Sequence, residues 1–333
     1  MGTMNITYFN RALDAGISIR QGFEPLIKKI GETNHVESYD LPESRFTPKC
    51  ILKNLWFTYK HRNKHGINHL TGGCHYILLA LLGCKTVLTV HDLGFYNHKM
   101  NPIKHFIFYY FQIYLPIKLA TKVIAITEKT KSEINSIVPF HREILVARHH
   151  SVDQFTYSPK EIDKKHLKLL AIGTEPPKNL ETVIRAAAKI LNSSLVVFKK
   201  MTDEQKDMCE KLGVSYQNKY NVPRQEVLDA YREADIVCFP SSYEGFGAIT
   251  VEGQRTGRPV ITTNREPMKS VAGGGAILLN NPKDDKELLA AINKILEDKE
   301  FRKSLIERGY KNSLLYSLDN CAKEHIEIYK SIK

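Results

Sequence analysis

Short runs of aliphatic and β-branched residues alternate with longer segments of helical spacing along this chain. In the first half, Asn5–Asn10, Thr86–Val90, Lys122–Ile126 and Glu143–Ala147 predict strands, and Ile19–Ile30 predicts a helix. Continuous runs of this kind are typical of parallel strands that are covered on both faces. Strands that alternate with helices predict parallel sheets with right-handed crossovers, and therefore an α/β fold.

The same alternation starts again after a linker near Val152–Pro159. The second half contains four predicted strands with helices between them: strands at 167–172, 194–198, 235–239 and 259–263, and helices at 179–191, 222–231 and 247–256. A length of 333 residues also predicts two domains, at about 100–200 residues each. We therefore expect Rossmann-like domains over residues 1–152 and 153–312, and a terminal helix over 313–333.

The charge of the chain is positive and unevenly distributed. Lys and Arg number 48 against 36 Asp and Glu, a net charge of +12. Residues 1–160 hold 20 of the basic and 11 of the acidic residues, a net +9 that leaves +3 for the remainder. Nucleic acid, an acidic membrane face or a phosphorylated small molecule would each complement this charge. Composition alone does not choose among them.

The six cysteines, at positions 50, 74, 84, 209, 238 and 321, form no Cys-x-x-Cys pair. Zinc-ribbon and thioredoxin-type sites are therefore not favoured, and scattered thiols are typical of a reduced, cytosolic protein. The N-terminal segment is too polar for a signal peptide, and no stretch reaches the about 18 apolar residues of a membrane-spanning helix. We expect a cytoplasmic protein that is soluble or peripheral to the membrane.

The most informative motif is FPSSYEGFGAITVEGQRTGRPV, at residues 239–260. Seven residues separate Glu244 from Glu252, and a turn of Gly245, Phe246 and Gly247 precedes a predicted helix. The positive end of a helix and close-approaching glycines suit a diphosphate, while Glu252 could accept two hydrogen bonds from ribose hydroxyls. For an isolated pair of glutamates, the simpler interpretation is a capped helix with two solvated side chains.

This block resembles the donor-site signature of family 4 of the retaining GT-B glycosyltransferases, with PSSYEGFG, VEG and GRPV in order. The resemblance extends over roughly residues 65–333. It implies the GT-B fold, in which two Rossmann-like domains face a cleft and the terminal helix returns to the first domain. It also implies that Glu244 contacts the donor sugar in catalysis and that Glu252 binds the nucleotide ribose.

Further segments follow the family pattern. In GTEPPKNLETVIRAA, Lys178 and Asn179 match the family, so Lys178 is the predicted cation for the diphosphate. Thr174 stands where the family usually has a basic residue, and we include it among the donor-binding residues. TVHDLGF places His91 after a buried strand, where the resemblance implies a catalytic position. The family's N-terminal glycine-rich loop is reduced to one glycine, Gly16, which we also assign to donor binding.

No metal or cofactor is expected. No Asp-x-Asp pair follows an apolar strand, so the sequence predicts no metal-bridged diphosphate. The resemblance implies the same, because GT-B enzymes use helix termini and cations in place of the metal. The nucleotide-diphosphate sugar is then a substrate.

Two stretches combine aromatic and basic residues, Lys53–His65 and Lys104–Lys122. The simpler interpretation of the second is an amphipathic helix packed on the first domain. Cationic, aromatic-rich helices also settle into anionic membrane interfaces, so an anionic membrane surface is a candidate partner. Aromatics among basic residues could stack on bases, but no nucleic-acid motif accompanies them, and we expect no nucleic-acid partner.

The expected function is transfer of a sugar, with retention of configuration, from a nucleotide-diphosphate sugar to a saccharide or lipid-linked acceptor hydroxyl in polysaccharide or glycolipid assembly. Two alternatives remain open at this point. A nucleotide-sugar epimerase shares the architecture, and a non-catalytic protein could keep the donor pocket.

Overall fold

The structure is a computed structural model that describes residues 2–15, 18–97, 101–139, 143–148 and 152–332. The chain divides into two compact units, one formed by Met1–His150 with Leu318–Lys333 and the other by Ser151–Ser317. Within the described ranges, every helix is too short or too polar to cross a lipid bilayer.

The first unit contains a parallel sheet of six strands in the order β2-β1-β3-β4-β5-β6. Its strands are β1 (Asn5–Asn10), β2 (His35–Asp40), β3 (Ile67–Leu70), β4 (Lys85–Val90), β5 (Lys122–Ala125) and β6 (Ile144–Val146). Its helices are α1 (Ser18–Gly31), α2 (Pro48–His61), α3 (Pro102–Phe108), α4 (Leu115–Leu119) and α5 (Glu128–Ile137), with 3-10 turns at His75–Leu81 and Gly94–Asn97. A π-helical segment, Tyr109–Tyr114, joins α3 to α4.

The chain's last helix, α13 (Leu318–Lys330), packs on α1 of the first unit. Its Tyr329 is 1% exposed, and the Tyr329 hydroxyl is 2.9 Å from the Tyr8 hydroxyl and 2.6 Å from His69 Nδ1. The expected return of the terminal helix to the first unit is therefore confirmed. It begins later than the sequence predicts, since residues 313–317 lie in the second unit.

The second unit contains another parallel six-stranded sheet, in the order β12-β11-β10-β7-β8-β9. Its strands are β7 (Leu167–Ile172), β8 (Ser193–Phe198), β9 (Ser215–Lys219), β10 (Ile236–Cys238), β11 (Val260–Thr263) and β12 (Ile277–Leu279). Its helices are α6 (Leu180–Ala187), α7 (Asp203–Lys211), α8 (Arg224–Glu233), α9 (Ala248–Thr256), α10 (Met268–Ala272), α11 (Asp285–Glu297) and α12 (Lys299–Leu314).

The strand order of the second sheet creates a topological switch point between β7 and β10. From β7 the chain winds outward through β8 and β9, and from β10 it winds the other way through β11 and β12. Ligands of open α/β sheets bind outside the carboxyl ends of the strands at such a point, because the two loops diverge there. The loops that follow β7 and β10 are therefore the first place to look for a site.

Some helix and strand boundaries differ from those that the sequence pattern predicts. The helix predicted from Asn179 to Leu191 covers only Leu180–Ala187. Asn179 cannot start the helix, since its φ of 51° lies in the left-handed region. The edge strands β2 (HVESYD) and β9 (SYQNK) were not predicted, because they are polar and are held by backbone pairing with one neighbour.

Candidate functional site

The switch point brings together the loop after β7, residues 173–179, and the loop after β10, residues 239–247. Pairing of β10 with β7 sets the two loops side by side. The Ser242 N–H donates to the Pro177 carbonyl at 2.7 Å, and Asn179 Nδ2 donates to the Pro240 carbonyl at the same distance. Segments more than 60 residues apart in sequence thus form one rigid rim.

At this rim Lys178 and Glu244 form an ion pair, with 2.5 Å between Nζ and Oε1. The same Glu244 oxygen accepts a hydrogen bond from Ser241 Oγ at 2.6 Å. The Lys178 and Glu244 side chains are 21% and 15% exposed, so solvent reaches both. Two of the predicted site residues therefore lie in direct contact, and the carboxylate holds the ammonium group in place.

The position of Lys178 depends on two neighbours. A Cβ at Gly173 would come within 2.7 Å of Lys178 Cγ, so the glycine makes room for the lysine stem. The φ of Gly173 is 104°, which a residue with a side chain rarely adopts. On the other side, Nζ lies 5.2 Å from the centre of the Phe239 ring, within the range of a cation–π contact.

Helix α9 begins at Ala248, directly after the Gly245–Gly247 turn that follows Glu244. Gly247 is its N-cap at a φ of 88°, and in the described part of the chain no side chain caps it. Phe246 is 8% exposed and lies 5.4 Å, ring to ring, from Tyr316, so it anchors the Gly245–Gly247 turn. The positive end of α9 and the Lys178 ammonium thus bracket this turn, an arrangement that attracts an anion.

Glu252 lies on α9, one helical turn further in, and belongs to a separate cluster. Its Oε2 accepts a hydrogen bond from the fully buried Tyr231 hydroxyl at 2.6 Å, and its Oε1 is 3.4 Å from Arg224 Nη2. Burial raises the pKa of Glu252 above its ordinary value, while Arg224 and Tyr231 oppose that rise by stabilising the carboxylate. Tyr231 thus engages one oxygen of Glu252 and Arg224 lies near the other, and a carboxylate has further lone pairs that can accept hydrogen bonds. That Glu252 accepts hydrogen bonds from ribose hydroxyls stays a prediction.

Arg224 is held on three sides at the start of α8. Its Nε donates to Gln154 Oε1 at 3.0 Å, and its guanidinium lies 5.1 Å from the Phe155 ring centre. The side chain remains 42% exposed. A positioned and still accessible cation therefore lies beside Glu252.

Two predicted donor-binding residues make mainly protein contacts. Asn179 is 5% exposed, and its amide nitrogen also donates to Ser242 Oγ at 2.7 Å. The Thr174 hydroxyl donates to the Lys200 carbonyl at 2.9 Å, and the Thr174 carbonyl accepts from Gln205 Nε2 at 2.9 Å. Both side chains hold the shape of the loop after β7.

His91 follows β4 in the first unit, as the sequence predicts. Its Nε2 donates to the Thr71 carbonyl at 2.8 Å, which places the ring proton on Nε2. Burial lowers the pKa of His91 to about 4, so the imidazole is neutral at pH 7. Its catalytic role remains a prediction. Gly16, the predicted remnant of a glycine-rich loop, lies outside the described residues.

Three residues of these clusters were not found from the sequence: Ser241, Tyr231 and Arg224. Ser241 stands three residues before Glu244 in the same motif, so its hydroxyl could have been predicted to donate a hydrogen bond to that carboxylate. Tyr231 and Arg224 lie on a different helix from Glu252 and carried no sequence signal. In the ranges that the structure describes, no group of three or more His, Cys, Asp or Glu side chains could hold a metal ion.

Comparisons with known proteins identify what this chain is similar to. Residues 154–312 match the family model of glycosyl transferases group 1. Over 129 residues the chain is 33% identical to the D-inositol 3-phosphate glycosyltransferase of Corynebacterium urealyticum, a match that covers 38% of this chain. It spans 30% of that relative's length.

Solved structures match over nearly the whole chain. Sucrose-phosphate synthase from Thermosynechococcus elongatus aligns with a TM-score of 0.78 at 14% identity, over 98% of both chains. The Anabaena protein HepE, solved in complex with UDP, aligns with a TM-score of 0.73 at 15% identity, over 98% of this chain and all of that one. At these identities the likeness shows the fold, and the expected GT-B architecture of two Rossmann-like units is confirmed.

Proposed function

We propose that this chain is a retaining glycosyltransferase that moves a sugar from a nucleotide-diphosphate sugar to an acceptor hydroxyl. The observation that carries the proposal is the Lys178–Glu244 pair beside the N-terminus of α9, at the switch point of the second sheet. A cation, a helix end and a carboxylate together suit a diphosphate bonded to a sugar. The match of residues 154–312 to group 1 glycosyl transferases supports the same chemistry.

The diphosphate would bind between Lys178 and the Gly245–Gly247 turn. Negative charge grows on the diphosphate as the bond to the sugar breaks. Fixed groups that already point at this charge lower the barrier, because they do not have to reorganise during the reaction. Lys178 is held in advance by Glu244, Phe239 and the space at Gly173, which fits this role.

Glu244 would contact the donor sugar, where positive character develops at the reacting carbon. Glu252 would bind the ribose through Oε1 and the accessible edge of its carboxylate. Arg224 beside it would contribute a hydrogen-bond donor to the nucleotide. Following the resemblance, we expect front-face attack, with the leaving phosphate taking the acceptor proton and no metal ion taking part.

The acceptor is proposed to be a saccharide or a lipid-linked saccharide in polysaccharide or glycolipid assembly. HepE of Anabaena has been solved with UDP and with UDP-glucose, which supports a UDP-sugar as the first donor to test. The basic first half of the chain supports an acceptor at an anionic surface.

A panel of nucleotide-diphosphate sugars in excess EDTA tests the proposal. We expect one donor to raise the unfolding temperature, since a ligand selective for the folded state stabilises it by about 2.7 kcal/mol at a hundred times its Kd. With a saccharide acceptor present, or with water receiving the sugar more slowly, the same donor should release nucleoside diphosphate without added metal. If activity disappeared in EDTA and returned with Mg²⁺ or Mn²⁺, the metal-free mechanism would be wrong.

The panel also separates the alternatives. An epimerase would convert the donor into an isomeric nucleotide sugar without releasing nucleoside diphosphate. A binding protein would be stabilised by the donor without any turnover under any acceptor condition. Either result would replace the transferase proposal.

The hydroxyl of Tyr231 is expected to set the pH range in which the nucleotide sugar binds. Its hydrogen bond stabilises the Glu252 carboxylate, so Tyr231→Phe should raise the pKa of Glu252 further. A protonated Glu252 no longer accepts from the ribose, and affinity should therefore fall as pH decreases. We expect this fall about one pH unit higher in Tyr231→Phe than in the wild type.

Calorimetric titration with an intact nucleotide sugar measures this shift, because both of its phosphates are esterified and do not titrate in this range. Tyr220→Phe, at a residue that is 50% exposed in the same unit, is the control and should keep the wild-type profile. Coinciding profiles for Tyr231→Phe and the wild type would show that Tyr231 does not act on ribose binding.

A further inference from the structure

Helix α2 of the first unit packs Ile51, Leu55 and Phe57 against the core, but it also buries polar side chains and exposes apolar ones. Asn54 and Thr58 are fully buried, whereas Leu52 and Trp56 are 67% and 59% exposed. Surface helices of globular proteins normally turn their apolar face inward. Asn54 is satisfied inside, since its amide nitrogen donates to the Tyr76 hydroxyl at 2.7 Å and to the Glu43 carbonyl at 2.9 Å. Hydrogen bonds within the unit therefore account for the buried Asn54, whereas the described part of the chain leaves Leu52 and Trp56 largely open to solvent.

A second exposed apolar stripe lies on α3 and the π-helical segment that follows it. Ile103 is 71% exposed, Phe106 63%, Ile107 42% and Phe111 39%. Phe46, just before α2, lies 6.5 Å, ring centre to ring centre, from Phe108 at the end of α3, so the start of α2 is near the end of α3. We name the exposed apolar side chains of α2 and of α3 with its π-helical extension the α2–α3 surface: Leu52, Trp56, Tyr59, Ile103, Phe106, Ile107 and Phe111.

Basic side chains accompany this surface. Helix α2 carries Lys49, Lys53 and Lys60, and neither α2 nor α3 contains an acidic residue. Lys60 Nζ lies 5.0 Å from the Trp56 ring centre. Lys53 forms an ion pair with Glu43, which lies just before α2 in the sequence. Apolar and aromatic side chains mixed with lysines are typical of helices that lie in an anionic membrane interface.

The arrangement of the rings argues against other occupants. Trp56 stacks on Tyr59 at 5.9 Å and 12°, and the Arg62 guanidinium lies over the Tyr59 ring, so protein groups cover faces that nucleic-acid bases would need. Protein interfaces favour Arg and are depleted in Lys. Helix α2, by contrast, contains three lysines and no arginine.

We propose that the α2–α3 surface docks the first unit on an anionic lipid bilayer. Leu52, Trp56, Ile103 and Phe106 enter the interfacial layer, and the lysines of α2 contact lipid headgroups. The proposal stands on the first unit alone. Combined with the proposed function, it would place the enzyme at the surface where a lipid-linked acceptor is found.

Trp56 is the only tryptophan of the chain, so its fluorescence reports on this surface directly. Full-length protein is titrated with vesicles of phosphatidylcholine alone and of phosphatidylcholine with about one-third phosphatidylglycerol, on the premise that anionic lipid attracts the lysines. We expect a blue shift of the emission, and quenching by brominated acyl chains, with the anionic vesicles. Raising the salt concentration should weaken binding, because screening over about 8–10 Å reduces the attraction.

Two pairs of variants match charge and apolar area. Lys49→Glu with Lys60→Glu should lower the vesicle partition coefficient at least about tenfold, at roughly 1 kcal/mol for each lysine near the surface. Lys211→Glu with Lys303→Glu, which makes the same charge change on exposed lysines of the second unit, should have little effect. Leu52→Ser with Phe106→Ser should abolish binding measured by sedimentation, whereas Leu191→Ser with Leu212→Ser, at residues 89% and 44% exposed in the second unit, should not.

Circular dichroism confirms that each variant is folded, which is expected because every changed side chain is exposed. The proposal is overturned if emission is unchanged with anionic vesicles, or if both lipid compositions bind equally at every salt concentration. Tighter binding of single-stranded nucleic acid, or self-association that shifts Trp56 emission without lipid, would also overturn it. None of these readouts requires turnover, so a failure here and a failure of the proposed transferase activity can be told apart.

Discussion

Glu252→Ala is expected to lower the affinity for both the nucleotide sugar and the free nucleoside diphosphate by about tenfold to a hundredfold. Glu252 would bind the ribose in the ground state and the transition state alike, so its loss removes uniform binding. A hydrogen bond to a charged group contributes about 1.5–3 kcal/mol. Calorimetric titration of the nucleoside diphosphate measures this loss, and turnover at saturating donor should change much less.

Glu252→Gln is the conservative variant, because its amide oxygen can still accept from Tyr231, and it should lose less affinity than Glu252→Ala. Glu252→Ala leaves the buried Tyr231 hydroxyl without its acceptor, which is itself destabilising. Glu252→Gln separates that effect from the loss of ribose binding. Glu233→Ala removes a glutamate that is 66% exposed on α8 and should bind like the wild type. An unchanged nucleoside diphosphate affinity in Glu252→Ala would end the assignment of α9 to the donor site.

Glu244→Gln is expected to lower turnover by about a hundredfold to a thousandfold, the size of loss that follows removal of one preorganised group that stabilises developing charge. The substitution keeps the shape but removes the charge that is proposed to face the sugar and that pairs with Lys178 at 2.5 Å. Both effects act mainly when charge separates in the transition state. Nucleoside diphosphate affinity should therefore fall far less than turnover.

Ser241→Ala provides the matched comparison, since it removes the other hydrogen bond to the same Glu244 oxygen without changing any charge. A neutral hydrogen bond contributes about 1 kcal/mol, so turnover should fall by no more than about tenfold. Full turnover in Glu244→Gln, or an equal loss in both variants, would contradict a charge-based role for Glu244.

The local sequence pattern is sufficient to predict a strand or a helix cap when that element depends only on residues that are close together in the sequence. The residues of TVLTV and the leucines of LKLLAI are buried in the cores of their sheets, and Thr127, the N-cap of α5, accepts from the Thr130 N–H at 3.1 Å. The EGFG turn with its following helix was likewise found, because a glycine at a positive φ and a helix start are encoded within a few residues. By contrast, the buried face of α2 cannot be identified from its hydrophobic pattern, because its two most buried positions are occupied by the polar residues Asn54 and Thr58.

The α/β class, the two halves, the loops that carry Lys178 and Glu244 and the helix that carries Glu252 all follow from sequence patterns. Which of these residues contact each other depends on how the sheet and helices pack. Lys178 and Glu244 are 66 positions apart, and Tyr231 and Glu252 lie on different helices, so their contacts depend on strand order and helix packing. Because β7 pairs with β10, the loops that follow these strands lie side by side, and Lys178 and Glu244 come into contact. The physical reason is that periodicity encodes which face of an element is buried, whereas the partner across that face is fixed when the whole sheet assembles.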